Sequence, residues 1–280
     1  MDIIERIRAA YPDLTKKQKS IADYLIANPE DICYITLAQL SQNTSACEVT
    51  LLRFCQKMGC ASFLELKNEF RDHTQTMIKL VSSAHYIPPK LSTGSASEKE
   101  SLLSEIFGEE VGSLTEYYSS IRLNNITRIA DQIRKSRRIY IFAHDLSKIM
   151  GQFLESRLQI LYFNATLVDL GNLEETQLHL QNLTDGDLAI LFSFPRYFFP
   201  IGNIARKISE LGIPILAITD SDTSPVAKYG DHLLICPGQT KFFYNSLALP
   251  MAVLNLLASC LVIDNVAPSE IEEFKDTLSS

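Results

Sequence analysis

The sequence lacks the marks of several protein classes. Its six cysteines form no CxxC pair and no zinc-type spacing with histidine, so we predict reduced thiols in a cytoplasmic protein without a metal site. The amino-terminal residues do not have the pattern of a signal peptide. The most apolar run, 247–263, contains Pro250, Asn255 and Ser259 and is short for a bilayer span. It therefore predicts a buried helix, and no membrane partner.

An excess of basic charge is also missing. The formal net charge of the 280 residues is −7, and residues 1–75 contain nine lysines and arginines against ten acidic residues. This balance argues against a general polyanion binder. It does not exclude sequence-specific DNA binding, because that needs only a local basic surface.

The chain divides into three zones by its residue pattern. Residues 1–77 predict short helices only, which indicates an all-α domain. Residues 78–100 include Pro88-Pro89 and the run Ser-Thr-Gly-Ser at 92–95, which is the composition of a linker. Residues 101–280 form the third zone, for which we predict an α/β domain.

Short apolar runs alternate with helical stretches in the third zone. The runs lie at 138–143, 165–169, 188–192, 213–219 and 232–236, and the helical stretches between them lie at 147–162, 172–182, 200–211 and 223–229. Such alternation predicts right-handed βαβ units and a parallel sheet, and continuous apolar strands are typical of a sheet that helices cover on both faces. We therefore expect a three-layer αβα fold with five parallel strands.

The first zone has clear helix starts. Capping boxes are predicted at Thr15 and Thr36, and Ser45 and Ser62 can cap the next two helices, the first of which ends at Gly59. Two short helices joined by the tight turn at 43–45 predict a helix-turn-helix, whose second helix can enter the major groove of DNA.

The second helix of this motif has two faces of interest. The residues predicted to face the core are Val49, Leu52 and Cys55. Those predicted to contact DNA are Thr50, Arg53 and Lys57. Arginine can read guanine edges, and threonine and lysine suit phosphates or thymine methyl groups. From spacing alone, an ordinary solvated helix face is an open alternative.

Several segments of the first zone together resemble the amino-terminal domain of RpiR-type (MurR/RpiR) transcription regulators. They lie at 14–25, 28–30, 36–40, 48–59 and 62–67, and the most specific is Thr-Leu-Leu-Arg-Phe-Cys-Gln-Lys-Met-Gly at 50–59. The resemblance implies double-stranded operator DNA as a partner. We add Ser45 and Lys67 to the expected DNA contacts, although the family pattern has a serine where this chain has Cys47.

The resemblance implies a sugar-isomerase (SIS) domain in the rest of the chain. In a sheet of flavodoxin-like order 2-1-3-4-5, ligands bind beyond the carboxyl ends of the strands, between the first and third strands. The expected effector contacts are His144, Ser147, Ser193, Arg196, Tyr197, Asp220, Ser221, Asn245 and Ser246.

Two loops at this position depart from the family pattern. The first reads Ala-His-Asp-Leu-Ser at 143–147, where the family is glycine-rich. The second begins Ser-Phe-Pro-Arg-Tyr at 193–197, and Pro195 has no N–H to give to a phosphate. The effector, a phosphorylated sugar or other anion by the resemblance, is therefore expected to differ from a typical phosphosugar or to be held by Arg196 in place of backbone amides, although Arg196 can instead pair with Asp145.

These features together predict a ligand-responsive transcriptional regulator that is not an enzyme and uses no cofactor. It is expected to be a homodimer or homotetramer, because symmetric DNA half-sites need a dimer. Two alternatives stay open. One is a phosphosugar enzyme of the isomerase type, for which Glu155, Glu174 and Glu175 are acid or base candidates by default. The other is a regulator whose SIS domain only forms oligomers.

Overall fold

The computed structural model describes residues 2–83, 96–121, 123–195, 197–198, 200–238 and 246–263, with side chains left aside at 78–83. The helices are α1 (Ile3–Ala10), α2 (Lys16–Ala27), α3 (Leu37–Thr44), α4 (Glu48–Lys57), α5 (Phe63–Ser83), α6 (Ala96–Ser120), α7 (Leu123–Lys135), α8 (Ser147–Ile160), α9 (Leu173–Asn182), α10 (Ile201–Glu210) and α11 (Ala248–Ile263). The strands are β1 (Arg138–Ala143), β2 (Ala165–Asp169), β3 (Asp187–Ser193), β4 (Ile215–Thr219) and β5 (His232–Ile235).

These elements form two compact units. The first contains α1 to α5 and also the segment Leu170–Asn182, which includes α9. The second contains α6 to α8, all five strands, α10 and α11. Helix α5 continues to Ser83 and α6 begins at Ala96, so both helices extend into the segment that has linker composition.

Helices α2, α3 and α5 of the first unit begin where the capping signals predict. The hydroxyl of Thr15 accepts a hydrogen bond from the Gln18 N–H, and that of Thr36 accepts one from Gln39. Both capping boxes are complete, and the Ser62 hydroxyl caps α5 in the same way. These caps satisfy amide groups that a helix start would otherwise leave without partners.

Helix α9 belongs by sequence to the crossover between β2 and β3, but it packs within the first unit. Its Thr176 is fully buried. Arg71 of α5 donates to the carboxylate of Glu174 and to the side-chain oxygen of Gln177, each over 2.7 Å. Arg71 is only 9% exposed, so α9 supplies the acceptors that this buried guanidinium needs.

The second unit is built on a parallel sheet. In the described part of the chain, five strands pair in the order β2-β1-β3-β4-β5, which confirms the expected flavodoxin-like topology. Every residue of β3 is buried. Helices α7, α8 and α11 share one hydrophobic core with the strands, and α10 packs on β3 and β4. The continuous apolar runs thus form strands covered on both faces.

Of two segments near the carboxyl terminus that were expected to be helical, one is a helix and the other is not. The stretch 223–229, expected as a helix, forms only a 3-10 turn at Ala227–Tyr229, because Pro225 lacks an N–H for a helical hydrogen bond and Gly230 follows in extended conformation. The apolar run near the carboxyl terminus forms α11, which buries Leu249, Val253 and Leu257. Among the described residues, we find no helix with the length and apolar character that crossing a membrane requires.

A buried carboxylate joins the amino ends of β1 and β3. The side chain of Asp187 has no exposed surface, and it accepts hydrogen bonds from Arg137, Arg138 and the Thr184 N–H. Arg138 lies opposite Asp187 in the register of the two strands. Burial by itself would raise the pKa of Asp187, but the hydrogen bonds outweigh it and lower the pKa.

We predict that Asp187→Asn destabilises the protein while the exposed neighbour variant Asp185→Asn does not. Loss of the charged acceptor should lower the free energy of unfolding by roughly 1.5–3 kcal/mol at pH 7, measured by urea denaturation. Because the folded-state pKa is lowered, the wild-type advantage is complete above the unfolded pKa of about 3.9 and is lost as the pH falls through the folded value. A difference that stays constant from pH 7 to below pH 3 would contradict this account.

Candidate DNA interface and effector site

The turn of the helix-turn-helix depends on Ser45, but not as expected. Ser45 adopts the left-handed conformation, with φ 51° and ψ 34°, and it ends α3 rather than capping α4. Its carbonyl accepts a hydrogen bond of 3.2 Å from the Lys17 ammonium. The cap position of α4 is Cys47, whose sulfur lies 3.1 Å from the Thr50 hydroxyl oxygen. The prediction that Ser45 caps α4 is therefore wrong, since its register is two residues too early.

The buried face of α4 is a different one from that expected. Leu51, Phe54, Cys55 and Met58 are buried, at the i, i+3, i+4, i+7 spacing of a helix face. Of the three residues expected in the core, only Cys55 is there. Val49 is 59% exposed and Leu52 is 40% exposed. The expectation failed because successive steps of three residues drift around a helix, whose turn is 3.6 residues.

The exposed face of α4, which we call the reading face, comprises Val49, Leu52, Arg53 and Gln56. Arg53 is exposed as expected, and it stands among two apolar side chains and an amide. Sequence reasoning missed the other three members. The spacing of Leu51, Phe54 and Met58 was the available signal, since it offers a second apolar face for burial, but the packing of the domain decides between the two faces.

Thr50 and Lys57, two other expected DNA contacts, have hydrogen-bond partners within the protein. Thr50 is half-buried, and its hydroxyl oxygen lies next to the Cys47 thiol. That hydrogen bond lowers the pKa of Cys47. Lys57 is exposed, and its ammonium donates to the backbone carbonyl of Asp13. Both lie at the edge of the reading face.

Lys67 is not an exposed DNA contact in this structure. Its side chain is buried, with the residue only 4% exposed, and its ammonium donates to the Ile35 carbonyl over 2.8 Å. The expectation is corrected for a physical reason. A lysine stem is long and apolar, and its charged end can be buried when a backbone carbonyl accepts a hydrogen bond from the ammonium.

In the second unit, the carboxyl ends of the central strands carry the candidate effector site. Thr219, which ends β4, donates its hydroxyl to the Ser193 carbonyl of β3 over 2.6 Å. The Tyr197 hydroxyl donates to both carboxylate oxygens of Asp220, at 2.8 and 3.1 Å. Burial and then this hydrogen bond raise the pKa of Tyr197. The structure thus brings Ser193, Tyr197 and Asp220 to the same edge of the sheet.

His144 follows β1, the strand next to β3. Its ring lies 4.5 Å from the ring of Phe198, measured between centroids, and it is half-buried. Burial lowers the pKa of His144, so the imidazole is neutral at neutral pH. Asp145, the next residue, has a positive φ of 51°, which turns the chain sharply into α8.

Three buried polar atoms near these strand ends have no hydrogen-bond partner among the described residues. They are the His144 Nδ1 and the hydroxyl oxygens of Ser193 and Ser224. A buried polar group without a partner costs roughly 1–3 kcal/mol. The three atoms belong to a residue that follows β1, the residue that ends β3 and a residue that follows β4.

The other expected effector contacts are Ser147, Ser221, Ser246, Arg196 and Asn245. Ser147 begins α8, and the Ser221 hydroxyl lies 3.0 Å from that of Thr223. The Ser246 hydroxyl accepts the Ala248 N–H over 3.1 Å, so it caps α11. Arg196 and Asn245 lie outside the described residues.

Two family models match the chain, one over each domain. A family model described as the helix-turn-helix domain of the rpiR family matches residues 1–77, and the SIS domain model matches residues 132–260. The chain is an RpiR-type transcriptional regulator. It combines a DNA-binding helix-turn-helix domain with an SIS domain.

Relatives agree with this assignment over most of the chain. An uncharacterized HTH-type transcriptional regulator of Haemophilus influenzae is 24% identical over 84% of this chain and 79% of its own length. The regulator HexR of Escherichia coli is 21% identical over 81% of this chain and 75% of its own. The structure of the Vibrio vulnificus NanR protein complexed with ManNAc-6P has a TM-score of 0.52 at 18% identity, over 99% of this chain and 97% of that one. The last likeness shows a shared fold.

We predict that Lys67→Met lowers stability without changing DNA recognition. The Ile35 carbonyl loses its donor, so the free energy of unfolding should fall by about 1–3 kcal/mol. The affinity of the folded protein for its operator and the salt dependence of that affinity should stay as in the wild type. The control is Lys135→Met, at an exposed lysine of α7, which should change neither stability nor DNA affinity. A smaller salt dependence in Lys67→Met with unchanged stability would instead make Lys67 a phosphate contact.

Proposed function

We propose that the regulator recognises its operator with the reading face of α4 and that a small polar effector binds at the strand ends of the SIS domain. The observation that carries the first half is the exposure of Val49 and Leu52 beside Arg53. Large apolar side chains are not stabilised by exposure to water, whereas in the major groove they can contact thymine methyl groups. Arginine pairs with guanine and glutamine with adenine in the same groove.

Phosphate contacts are proposed to flank this face. Thr50, Lys57 and the turn residue Ser45 lie at its edges, and Lys17 is held against the turn by its bond to the Ser45 carbonyl. Such contacts position a helix in the groove without selecting a sequence. This division of roles explains how a domain without net positive charge can bind DNA specifically.

We predict that Arg53→Ala weakens specific binding more than nonspecific binding. Loss of a bidentate guanine contact should cost about 1–3 kcal/mol for the operator, roughly a 5- to 150-fold weaker affinity. Nonspecific DNA should lose far less. Fluorescence anisotropy with the promoter region next to its own gene and with a scrambled duplex measures both. Arg8→Ala, at an exposed arginine of α1, is the control. Equal loss on both duplexes would show that Arg53 does not read a base.

The proposed effector is a phosphorylated sugar or another polar anion. The NanR protein, which shares this fold, has a structure in complex with ManNAc-6P. The orphaned Ser193 hydroxyl and His144 Nδ1 lie at the strand ends where ligands bind in doubly wound sheets. Because His144 is neutral at neutral pH, it would contribute a hydrogen bond rather than a charge, and Arg196 is the proposed source of positive charge.

Catalysis is not part of this proposal. Glu155 accepts the Leu167 N–H over 2.7 Å, Glu174 pairs with Arg71, and Glu175 contacts Asn172. Each default acid or base candidate thus has a structural partner. Turnover of a pentose or hexose phosphate by the purified protein would favour the isomerase alternative.

We predict that two hydroxyl deletions at the strand ends differ in their effect on stability. Ser193→Ala removes a buried hydroxyl that has no partner, so the unliganded protein should be as stable as the wild type. Thr219→Val removes a hydroxyl that donates a hydrogen bond, so it should lose about 0.5–1.5 kcal/mol.

Thermal shift with a panel of pentose, hexose and amino-sugar phosphates tests the ligand half of this prediction. A ligand that binds only the folded state must raise the melting temperature. The ligand that does so for the wild type should give a much smaller shift with Ser193→Ala. An unchanged shift would place the ligand elsewhere, and no shift with the whole panel would favour an SIS domain that only forms oligomers.

A further inference from the structure

A cleft opens on the second unit where α10 meets the segment that follows β4. Its volume is about 440 Å³, which lies within the usual range for small-molecule sites, roughly 300–1,000 Å³. The first turn of α10 lines it with Gly202 and Asn203, and the turn at 222–225 lines it as well. The 3-10 turn that comes next in the chain contributes Lys228 and Tyr229. Three short segments thus converge on one space, which we call the α10 cleft.

The α10 cleft is separate from the candidate effector site. The effector site lies at the carboxyl ends of β1 and β3, whereas the cleft lies beside α10, which packs on β3, β4 and the 3-10 turn. None of the described residues that line the cleft is among those assigned to the effector. A ligand in the cleft would therefore leave the effector's place open.

Gly202 keeps side chains out of the cleft at its narrowest wall. A Cβ atom at this position would lie 3.4 Å from the Cβ of Pro225 and 3.6 Å from its carbonyl oxygen. A longer side chain would therefore press against the turn or project into the open space. Glycine lets α10 approach the turn closely while the cleft stays open.

The wall of the cleft holds a buried hydroxyl that has no partner. Ser224 is only 4% exposed, and its hydroxyl oxygen makes no hydrogen bond to any described residue. Its carbonyl, by contrast, accepts the Ala227 N–H over 3.1 Å, which fixes the backbone of the turn. A buried polar group without a partner is unfavourable, and a ligand hydroxyl is one group that could satisfy it.

The charged side chains of the cleft balance each other. Asp222 and Lys228 are both exposed, and within the described part of the chain neither has an ion-pair partner. The Lys228 ammonium lies 4.9 Å from the centroid of the Tyr229 ring, which favours its position beside the cleft. A carboxylate only accepts hydrogen bonds and an ammonium only donates them. One group of each kind disfavours a strongly charged ligand of either sign, but both can bind hydroxyl groups.

We propose that the α10 cleft binds an unphosphorylated sugar. The Asn203 amide and the hydroxyls of Thr223 and Ser224 can each donate and accept, as sugar hydroxyls also do. Tyr229 adds an aromatic surface for the apolar face of a sugar ring. This proposal does not rest on the proposed effector. Such a site would let the regulator respond to a neutral sugar and to a charged effector separately.

The first measurement is saturation-transfer NMR of the full chain, titrated with a panel of unphosphorylated pentoses, hexoses and hexitols. Asp222→Ala removes a charged acceptor from the cleft, so it should weaken the affinity for the sugar that responds at least tenfold. The control is Asp185→Ala, at an exposed aspartate near the amino end of β3, and it should leave the affinity unchanged. No response from the whole panel, or equal affinity of Asp222→Ala and the wild type, would overturn the proposal.

The second measurement distinguishes the cleft from the effector site. Ser224→Ala should weaken the same sugar several-fold without changing the melting temperature of the unliganded protein, because its hydroxyl has no partner to lose. Ser193→Ala should leave the sugar affinity unchanged. The reverse pattern would place the sugar at the effector site and contradict the proposal. Zwitterionic amino acids are the last arm, and binding of these in place of sugars would show that the ligand class is wrong.

Discussion

The carboxylate of Asp187 fixes the geometry on which the sensor domain depends. It binds Arg138 directly across the β1–β3 pair and also Arg137, so the two strands are tied at their amino ends in one register. A buried charge is costly unless it is paired and fully hydrogen-bonded, and here the arginines and the Thr184 N–H supply the partners. Because β1 and β3 start together, they also end together. His144, which follows β1, and Ser193, which ends β3, therefore lie at adjacent strand ends, at the point where the strand order reverses.

Much of this fold could be predicted from the sequence because its signals are local. Buried parallel strands are continuous apolar runs, and β1 and β2 have the predicted bounds. Capping boxes mark helix starts because a hydroxyl must accept an amide hydrogen bond within three residues. The strand order is not a local property, and it was expected only from the family resemblance. The 223–229 stretch is not the expected helix, because Pro225 lacks an N–H and Gly230 follows in extended conformation.

The functional faces were harder to predict, because exposure depends on the rest of the domain. Arg53 is exposed, but the same helix can be rotated to bury either Val49 and Leu52 or Leu51 and Phe54, and only the packing of the domain decides. Lys67 has the charge expected of a DNA contact, yet its ammonium is buried and donates a hydrogen bond to the Ile35 carbonyl. The effector site shows the same limit. The sequence indicates that the phosphate loop has changed, but the orphaned atoms of His144 and Ser193 become visible only when the strand ends are placed.

The path of the chain between β2 and β3 has a consequence for regulation. It leaves the sheet after Asp169, forms α9 within the first unit, and returns at Leu183. Asp169 is itself paired with Lys148 in the first turn of α8, directly after the loop that carries His144. At the other end of the segment, Arg71 depends on Glu174 and Gln177 of α9 for its acceptors. A ligand that displaced the β2 end would act on a chain segment that continues into the packing of the DNA-binding unit. Coupling of this kind is reciprocal, so operator binding must change effector affinity by the factor with which effector changes operator affinity.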